Sequence, residues 1–419
     1  MKRHTGWNAT KDFKMNRIIT LLAVLTALLS GCQPHPLPQA EMPILAWYSI
    51  TVPYLTEENH KMLKDCGFTV SFSDIKSMED GWKALEMGEK TGIKVMYSCP
   101  EMYERPEEVV AAVKGHPALY GYFLRDEPVV ADFPGLAAFS ARVTAVDKEH
   151  PQYLNLFPNY VNPAALGCTY EEYVQAFVRQ VPLPQLSFDY YPVTVEGIRQ
   201  TWWEHLEVIA RESRKAGIPF WAFALSTAHE IYPVPTLPSL RLQMYTNLAY
   251  GAQCLQYFTY WNSTGVKENG PVNPPGEKSP VYDIVREMNA EVQARAGVFV
   301  GATVEDVSHI GIPWPEGTEP PFLSHSGKYL PAGVKPLETL PEGISVLDTG
   351  GYGLLVSQLR NGADRYLVLV NRSLTEAFDY RIGFRKAVCT VNRDGSLGRL
   401  KKGEHSLHLA EGDCAIFRL

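Results

Sequence analysis

A repeat of one strand and one helix governs the first 300 residues. Strand-prone runs begin at residues 44, 69, 94 and 119, each 25 residues after the last, and an amphipathic, helix-length segment follows each. That spacing is one strand, one turn, one helix and one turn, the unit of a parallel sheet covered by its crossover helices. Longer units continue it, with helices predicted over 133–148, 170–181, 202–216, 239–250 and 281–296. The matching strands are predicted over 153–160, 185–192, 219–225 and 254–261, and Gly217 stands where a helix needs a C-terminal cap. Eight units in about 250 residues are the count and size of a closed barrel. The expected class is therefore α/β, a (β/α)8 TIM barrel over residues 44–296. An open doubly wound sheet competes, but it calls for a nucleotide fingerprint or a clear switch point, and neither GxGxxG nor GxxxxGK[ST] occurs.

The texture changes near residue 297. Short β-prone runs at 298–307, 344–347, 354–359, 366–371, 378–382, 387–391 and 414–419 are separated by Gly, Asn and Asp turns such as Asn361-Gly362 and Asp394-Gly395. They predict a C-terminal all-β, β-sandwich-like domain over 297–419 with at most a modest core.

At the other end, Lys14 and Arg17 flank a short apolar run, 18–29, that leads into Leu29-Ser30-Gly31-Cys32. Twelve residues are too few to cross a bilayer comfortably. The order of basic flank, apolar run and small residues before a cysteine resembles the bacterial lipoprotein signal. That resemblance implies cleavage before Cys32, lipidation of Cys32 and an exported chain anchored to a membrane at the periplasmic or cell-surface side. Residues 1–32 then form an N-terminal extension and signal, and the Pro- and Gln-rich segment 33–43 a tether. A secretory signal with an incidental Cys32 is the plainer alternative, and it too exports the chain. The other six cysteines lack metal-ligand spacing and read as separate core or strand residues. No cofactor fingerprint appears, so neither cofactor nor metal is expected. The net charge of -7, without a basic stripe, speaks against a nucleic-acid partner.

In a barrel of this kind the chemistry gathers at the C-terminal ends of the strands. The fourth strand ends most abruptly, in Arg125-Asp126-Glu127-Pro128. Pro128 should hold Glu127 extended, and strict alternation puts Phe123, Arg125 and Glu127 on one side and Asp126 on the other. Only one of the two acids would then face the mouth. A solvated strand-to-helix turn is the plainer reading of this stretch. The other strand ends offer Trp47 and Tyr48, then Asp74, then Tyr97, Glu101 and Tyr103. Strand 5 offers Asn159 and Tyr160; strand 6, Asp189, Tyr190 and Tyr191; strand 7, Ser226, His229 and Glu230; strand 8, Tyr260, Trp261 and Asn262. Aromatic faces, amides and paired carboxylates together suit an oligosaccharide or polysaccharide, whose ring C–H faces stack on aromatics.

Glu127 is the candidate acid/base. Its partner is Glu230, which lies four or five residues past strand 7, or Asp189, which shares an alternation face with Ser187; Asp74 and Glu101 stay open. Asp189 could instead cap a helix or pair with Arg125, and an Arg125 ion pair would weaken Glu127 as an acid. The candidate sugar contacts are Trp47, Tyr48, Tyr97, Arg125, Asp126, Asn159, Tyr160, Tyr190, His229, Tyr260 and Trp261.

The barrel, the Glu-Pro ending strand 4, the strand 8 aromatics and the β domain resemble the large clan of retaining (β/α)8-barrel glycoside hydrolases, with its β-galactosidase and cellulase-like families. The resemblance implies glycosidic bond cleavage by an acid/base in an Asn-Glu pair ending strand 4 and a nucleophilic Glu ending strand 7. Glu127 matches the first position. Asp126 stands where that clan has Asn, and the FWAFALS run ends without a Glu. Two other classes remain: a non-catalytic glycan-binding lipoprotein on a degenerate barrel, and a structural scaffold, which would not gather aromatics at strand tips.

Overall fold

The computed structural model describes residues 35–262, 269–318 and 320–419. The proposed signal and Cys32 lie outside the described residues. Eight parallel strands form the barrel: β1 (Ile44–Trp47), β2 (Val70–Phe72), β3 (Lys94–Tyr97), β4 (Leu119–Asp126), β5 (Gln152–Asn155), β6 (Leu186–Phe188), β7 (Phe220–Leu225) and β8 (Cys254–Phe258). Their hydrogen-bonded order runs β5-β4-β3-β2-β1-β8-β7-β6. β8 pairs with β1 from Ile44–Leu255 to Trp47–Phe258. The last seam, between β5 and β6, is joined by a parallel bridge of Leu156 with Phe188, and Leu156 N donates to Ser187 O at 2.8 Å. The barrel is closed.

Alternation divides each strand between two apolar layers. Leu45, Trp47, Val70, Phe72, Met96, Phe123, Tyr153, Trp221 and Phe223 fill the lumen. Ile44, Ala46, Val95, Tyr97, Tyr122, Leu124, Leu154 and Tyr257 face outward under the helices. The helices follow the strands as the spacing requires. α1 (Glu57–Asp65) is capped by Thr56, α2 (Met78–Thr91) by Ser77, and α2 ends on left-handed Gly92. α3 (Pro106–Val113), α4 (Phe133–Val146), α5 (Tyr170–Gln180) and α6 (Thr201–Ala216) complete the ring as far as β7. α6 stops at Gly217, φ 68°, as its sequence predicts. α7 (Leu237–Tyr250) and α8 (Pro280–Ala294) finish it. A short helix, Ala296–Phe299, lies where a strand over 298–307 was expected, and the chain becomes extended only from Thr303.

The C-terminal region is all-β. β9 (Thr303–Ile310), β11 (Leu354–Asn361), β12 (Asp364–Asn371), β14 (Val388–Val391), β15 (Leu397–Leu400) and β17 (Cys414–Arg418) form one sheet, in the order β9-β11-β12-β17-β14-β15. β10 (Ile344–Asp348), β13 (Phe378–Phe384) and β16 (Gly403–Leu409) form the other. The expected modest core is corrected by the larger sheet, which is buried on both faces. Leu354, Val356, Leu367 and Leu369 meet the second sheet, while Leu355, Leu359, Val368 and Val370 join the core that includes the barrel helices. α7 lies between, buried at every residue from Ser239 to Tyr250, and so carries no polar face. Ser357 Oγ donates to Ala249 O at 2.7 Å across this junction. Cys66, Cys99, Cys168, Cys254 and Cys414 are free.

Candidate active site

β4 delivers two acids to the mouth because its alternation is broken. Its pairing with β5 slips between Phe123 and Arg125, so Phe123 meets Tyr153 while Asp126 meets Asn155. This bulge re-aims the strand end, and Asn155 Nδ2 donates to Asp126 Oδ1 at 3.5 Å. The expectation that only one acid reaches the mouth is thereby corrected. So is the extended backbone expected of Glu127, which has φ 43°, in the left-handed region. A side chain there costs of order 1–2 kcal/mol. Two bonds hold the turn: Glu127 N donates to Asn155 O at 2.8 Å, and Tyr173 OH to Pro128 O at 2.6 Å.

Asp189 arrives from β6, with its amide donating to Leu156 O at 3.4 Å. Its carboxyl lies near enough to that of Glu127 for each to act on the ionisation of the other. Two carboxyl groups this near one another resist ionising together. Burial, then the charge of Asp126, push Glu127 up to about 7, against a lowering pull from Asp189. Burial, then Glu127 and Asp126, hold Asp189 well above the usual carboxylate range. The carboxylate that meets Glu127 is therefore Asp189. Glu230 sits exposed in the turn between His229 and Tyr232, with φ 48°.

Arg125 is exposed, makes no ion pair among the described residues, and exerts its charge on Tyr103. The feared weakening of Glu127 by Arg125 is not what the geometry shows. Glu101 accepts from Met78 N at 3.1 Å and so holds the start of α2. Asp74 pairs with Lys76. Beside the dyad lies a cavity of about 380 Å³, lined by Trp47, Tyr48, Asp74, Tyr103, Phe123 and Asp126 among others. Tyr48 stands at its lip, 38% exposed and with φ 41°; burial and then Asp126 and Asp74 raise its hydroxyl pKa.

Several expected sugar contacts lie elsewhere. Trp261 is 2% exposed and stacks on Tyr54 at 5.6 Å within the outer core, so its ring presents no face to the mouth. Tyr260 is buried against Phe68. Tyr97 faces α2, packed against Gly81, where a Cβ would stand 2.5 Å from the Tyr97 hydroxyl. Tyr190 points outward and bonds Thr201, while its neighbour Tyr191 faces the lumen; alternation from Asp189 requires just this. Asn159 donates to Thr201 O at 3.1 Å. Tyr160 is half-buried, with the Arg199 guanidinium 4.4 Å over its ring. His229 packs edge-on to Tyr191 and against Tyr232 and Phe258.

Sequence reasoning passed over Asn155, Gln256, Tyr232 and Arg199. Arg199 donates to Tyr191 O and to Tyr232 OH at 2.7 and 2.8 Å, tying the hairpin after β6 to the loop after β7. Asn155 and Gln256 carried a legible signal, since each is a lone amide at a lumen-facing position of an apolar strand. Among the described residues no three His, Cys, Asp or Glu side chains are placed to hold a metal.

No family model matches the chain, and no curated protein matches its sequence. Among solved structures it is similar to one described as a glycoside hydrolase, at 11% identity and TM-score 0.54, over 90% of this chain and 92% of that one. It is also similar to a glucosidase from Croceicoccus marinus (11% identity, TM-score 0.44, 92% and 96% of the two chains) and to xylanase 10B from Thermotoga maritima (11%, 0.41, 61% and 96%). The likeness that spans both regions shows the fold: a (β/α)8 barrel with an all-β domain at its C-terminal end.

Proposed function

We propose that this chain is a glycoside hydrolase acting on an oligosaccharide or polysaccharide, with Glu127 as general acid/base and Asp189 as nucleophile. The observation that carries the reading is the pair of neighbouring acids, Glu127 and Asp189, that β4 and β6 deliver to the C-terminal mouth of the barrel. Glu127, raised to about 7, keeps a proton at neutral pH and can pass it to a departing oxygen. The likeness to a structure described as a glycoside hydrolase supports the same reading.

Retaining pairs stand roughly 5–5.5 Å apart and inverting ones roughly 6.5–9.5 Å, with room for a sugar or a water between the carboxyl groups. A sugar between Glu127 and Asp189 separates the two, leaves the proton on Glu127 and lets ionised Asp189 face the anomeric carbon. Trp47, Tyr48 and Asp126 then line the neighbouring sugar position.

The test is a 2-deoxy-2-fluoro glycoside with a good leaving group, followed by peptide mapping, together with product analysis by NMR. The reading expects retention and a label on Asp189. Inversion, or a label on Glu230, overturns the assignment. Glycan binding without turnover of any aryl glycoside would favour the non-catalytic alternative. We propose in addition that the chain is exported and anchored through Cys32, on the strength of the Leu29–Cys32 run alone. Cys32→Ala should then release it from the membrane fraction, and a native Cys32 carrying no thioether-linked lipid would rule this out.

A further inference from the structure

Five arginines among the described residues are buried: Arg199, Arg241, Arg295, Arg372 and Arg418. Arg241 grips the Glu291 carboxylate through Nε and Nη2, and Arg418 lies 3.8 Å from Asp364. Arg295 bonds through all three nitrogens, and Arg372 through both Nη atoms. Arg199 spends only Nη1, on Tyr191 O and Tyr232 OH. Its Nε is buried with no partner; Nη2 has none either, but it is not closed to solvent. These two idle nitrogens form one edge of the guanidinium, and their N–H bonds run parallel, spaced for the two oxygens of a carboxylate. The chain uses that same edge elsewhere, where Arg142 donates from Nε and Nη2 to the two oxygens of Glu107, each at 2.7 Å.

Arg199 ends the hairpin after β6. The ring of Tyr160, after β5, lies 4.4 Å from its guanidinium and that of Tyr232, after β7, 5.2 Å. The loops after three strands thus meet around this cation, at the mouth end of the barrel. Tyrosine faces offset part of the cost of burying a cation, and an anion would offset more. The chain's own acids do not serve: Glu196 in the hairpin turn and Glu230 after β7 are exposed, and neither bonds Arg199. Burial, then Tyr232 and Asp189, raise the Tyr160 hydroxyl while Arg199 lowers it, so the cation and Asp189 act on one ring. Asp126, Glu127 and Asp189 together disfavour an acidic sugar at this mouth, and a cation with a free edge reverses that preference.

We propose that Arg199 is a specificity residue that takes the carboxylate of an acidic sugar, a uronate unit, through its Nε–Nη2 edge. The inference deepens the glycosidase reading and rests on it for the entry of a sugar at the mouth, yet binding can be measured without turnover. Nη2 makes the first bond, and Nε joins as the side chains that cover it shift.

The experiment compares methyl glucuronide and methyl galacturonide, in both anomers, with methyl glucoside and methyl galactoside, by calorimetry on the full chain. One uronide should bind at least about tenfold more tightly than its neutral counterpart, as expected of a charge-assisted bidentate pair. Arg199→Gln should collapse that acid-to-neutral ratio to within about twofold, and Arg199→Lys, which keeps the charge but not the fork, should recover part of it. A purely structural tie would weaken both sugars together and leave the ratio unchanged, and that result overturns the proposal. So does the absence of any uronide preference in the native chain. Should Arg199→Gln fail to fold, the methyl ester of the uronide decides on the unaltered protein: it should bind like the neutral sugar, and binding equal to that of the free acid overturns the proposal. Tighter binding of galactose 6-sulfate than of either uronide would overturn the carboxylate and give the edge to a sulfate ester. Uronide preference without hydrolysis of any aryl glycoside would fail the glycosidase reading and leave Arg199 its role; hydrolysis of neutral glycosides with no uronide preference would do the reverse.

Discussion

The two halves of the barrel mouth are built on different principles. On the β4–β6 side, Asp126, Glu127 and Asp189 sit on a strand or one residue past it, and ladder bonds from Asn155 and Leu156 fix their backbones. On the β7–β8 side the strands end at Leu225 and Phe258, and Glu230, Tyr260 and Trp261 lie beyond them. There a turn leaves Glu230 in solvent, and the outer core takes both aromatic rings. A ladder carries a side chain to a place that counting can foresee. A loop puts it wherever its apolar surface is best buried.

The largest effect that separates the halves falls on Asp189. Asp189→Asn removes the proposed nucleophile and one half of the carboxyl pair, and kcat should fall about 10³-fold. A loss below tenfold, with the protein folded, would move the chemistry away from β6. On the other side Trp261→Ala should act on stability. It empties a buried site and should cost about 3 kcal/mol by denaturant unfolding. A mouth platform would instead show weakened glycan binding at nearly unchanged stability.

These outcomes bear on what the sequence could show. The eight strands were legible because period-two burial and 25-residue spacing repeat, and closure between β8 and β1 follows from them. Glu127 and the shared face of Ser187 and Asp189 were legible for the same reason. The bulge in β4 was not, since nothing in Phe123-Leu124-Arg125 announces a slipped register. Nor was the left-handed Glu127, where ladder and tyrosine bonds override the preference of a residue before proline. Tyr191, not Tyr190, was legible as the lumen-facing ring, because alternation from Asp189 points at it. Trp261 misled for a physical reason: a Tyr-Trp pair at a strand end can stack on a sugar or on Tyr54, and composition does not distinguish them.

The β4–β6 half should also leave a mark on stability. The folded chain holds the Glu127 proton up to about pH 7, whereas an unfolded Glu releases it near 4.3. Between these values the native state binds more protons, so stability is full below about pH 4.3 and declines as pH rises to about 7. The raised Asp189 adds in the same direction. For Glu127, with solvent screening of a half-buried group allowed for, the slope should sum to on the order of 1 kcal/mol. Glu127→Gln should flatten it, measured as the difference in unfolding free energy between pH 5 and pH 8. An unchanged slope would mean that folding does not raise the Glu127 carboxyl.

The smallest effect is the sharpest test of the contrast. Resemblance to retaining barrels directs attention to an acid after β7, and Glu230 is the acid that the chain offers there. Its carboxylate is exposed, in a turn pinned by the backbone bonds between His229 and Tyr232 and by Val195 N donating to Ile231 O at 3.0 Å. To reach the anomeric carbon the turn would have to break those bonds and bury a charge. Glu230→Gln keeps the size and the hydrogen-bonding shape and removes only the charge. Turnover and KM should both stay within about twofold, as expected of a surface substitution worth less than about 0.5 kcal/mol. A kcat loss of a hundredfold or more would show that the loop closes over the mouth when sugar binds. It would transfer the nucleophile from β6 to β7, and the difference between the two halves would then belong to the ligand-free chain alone.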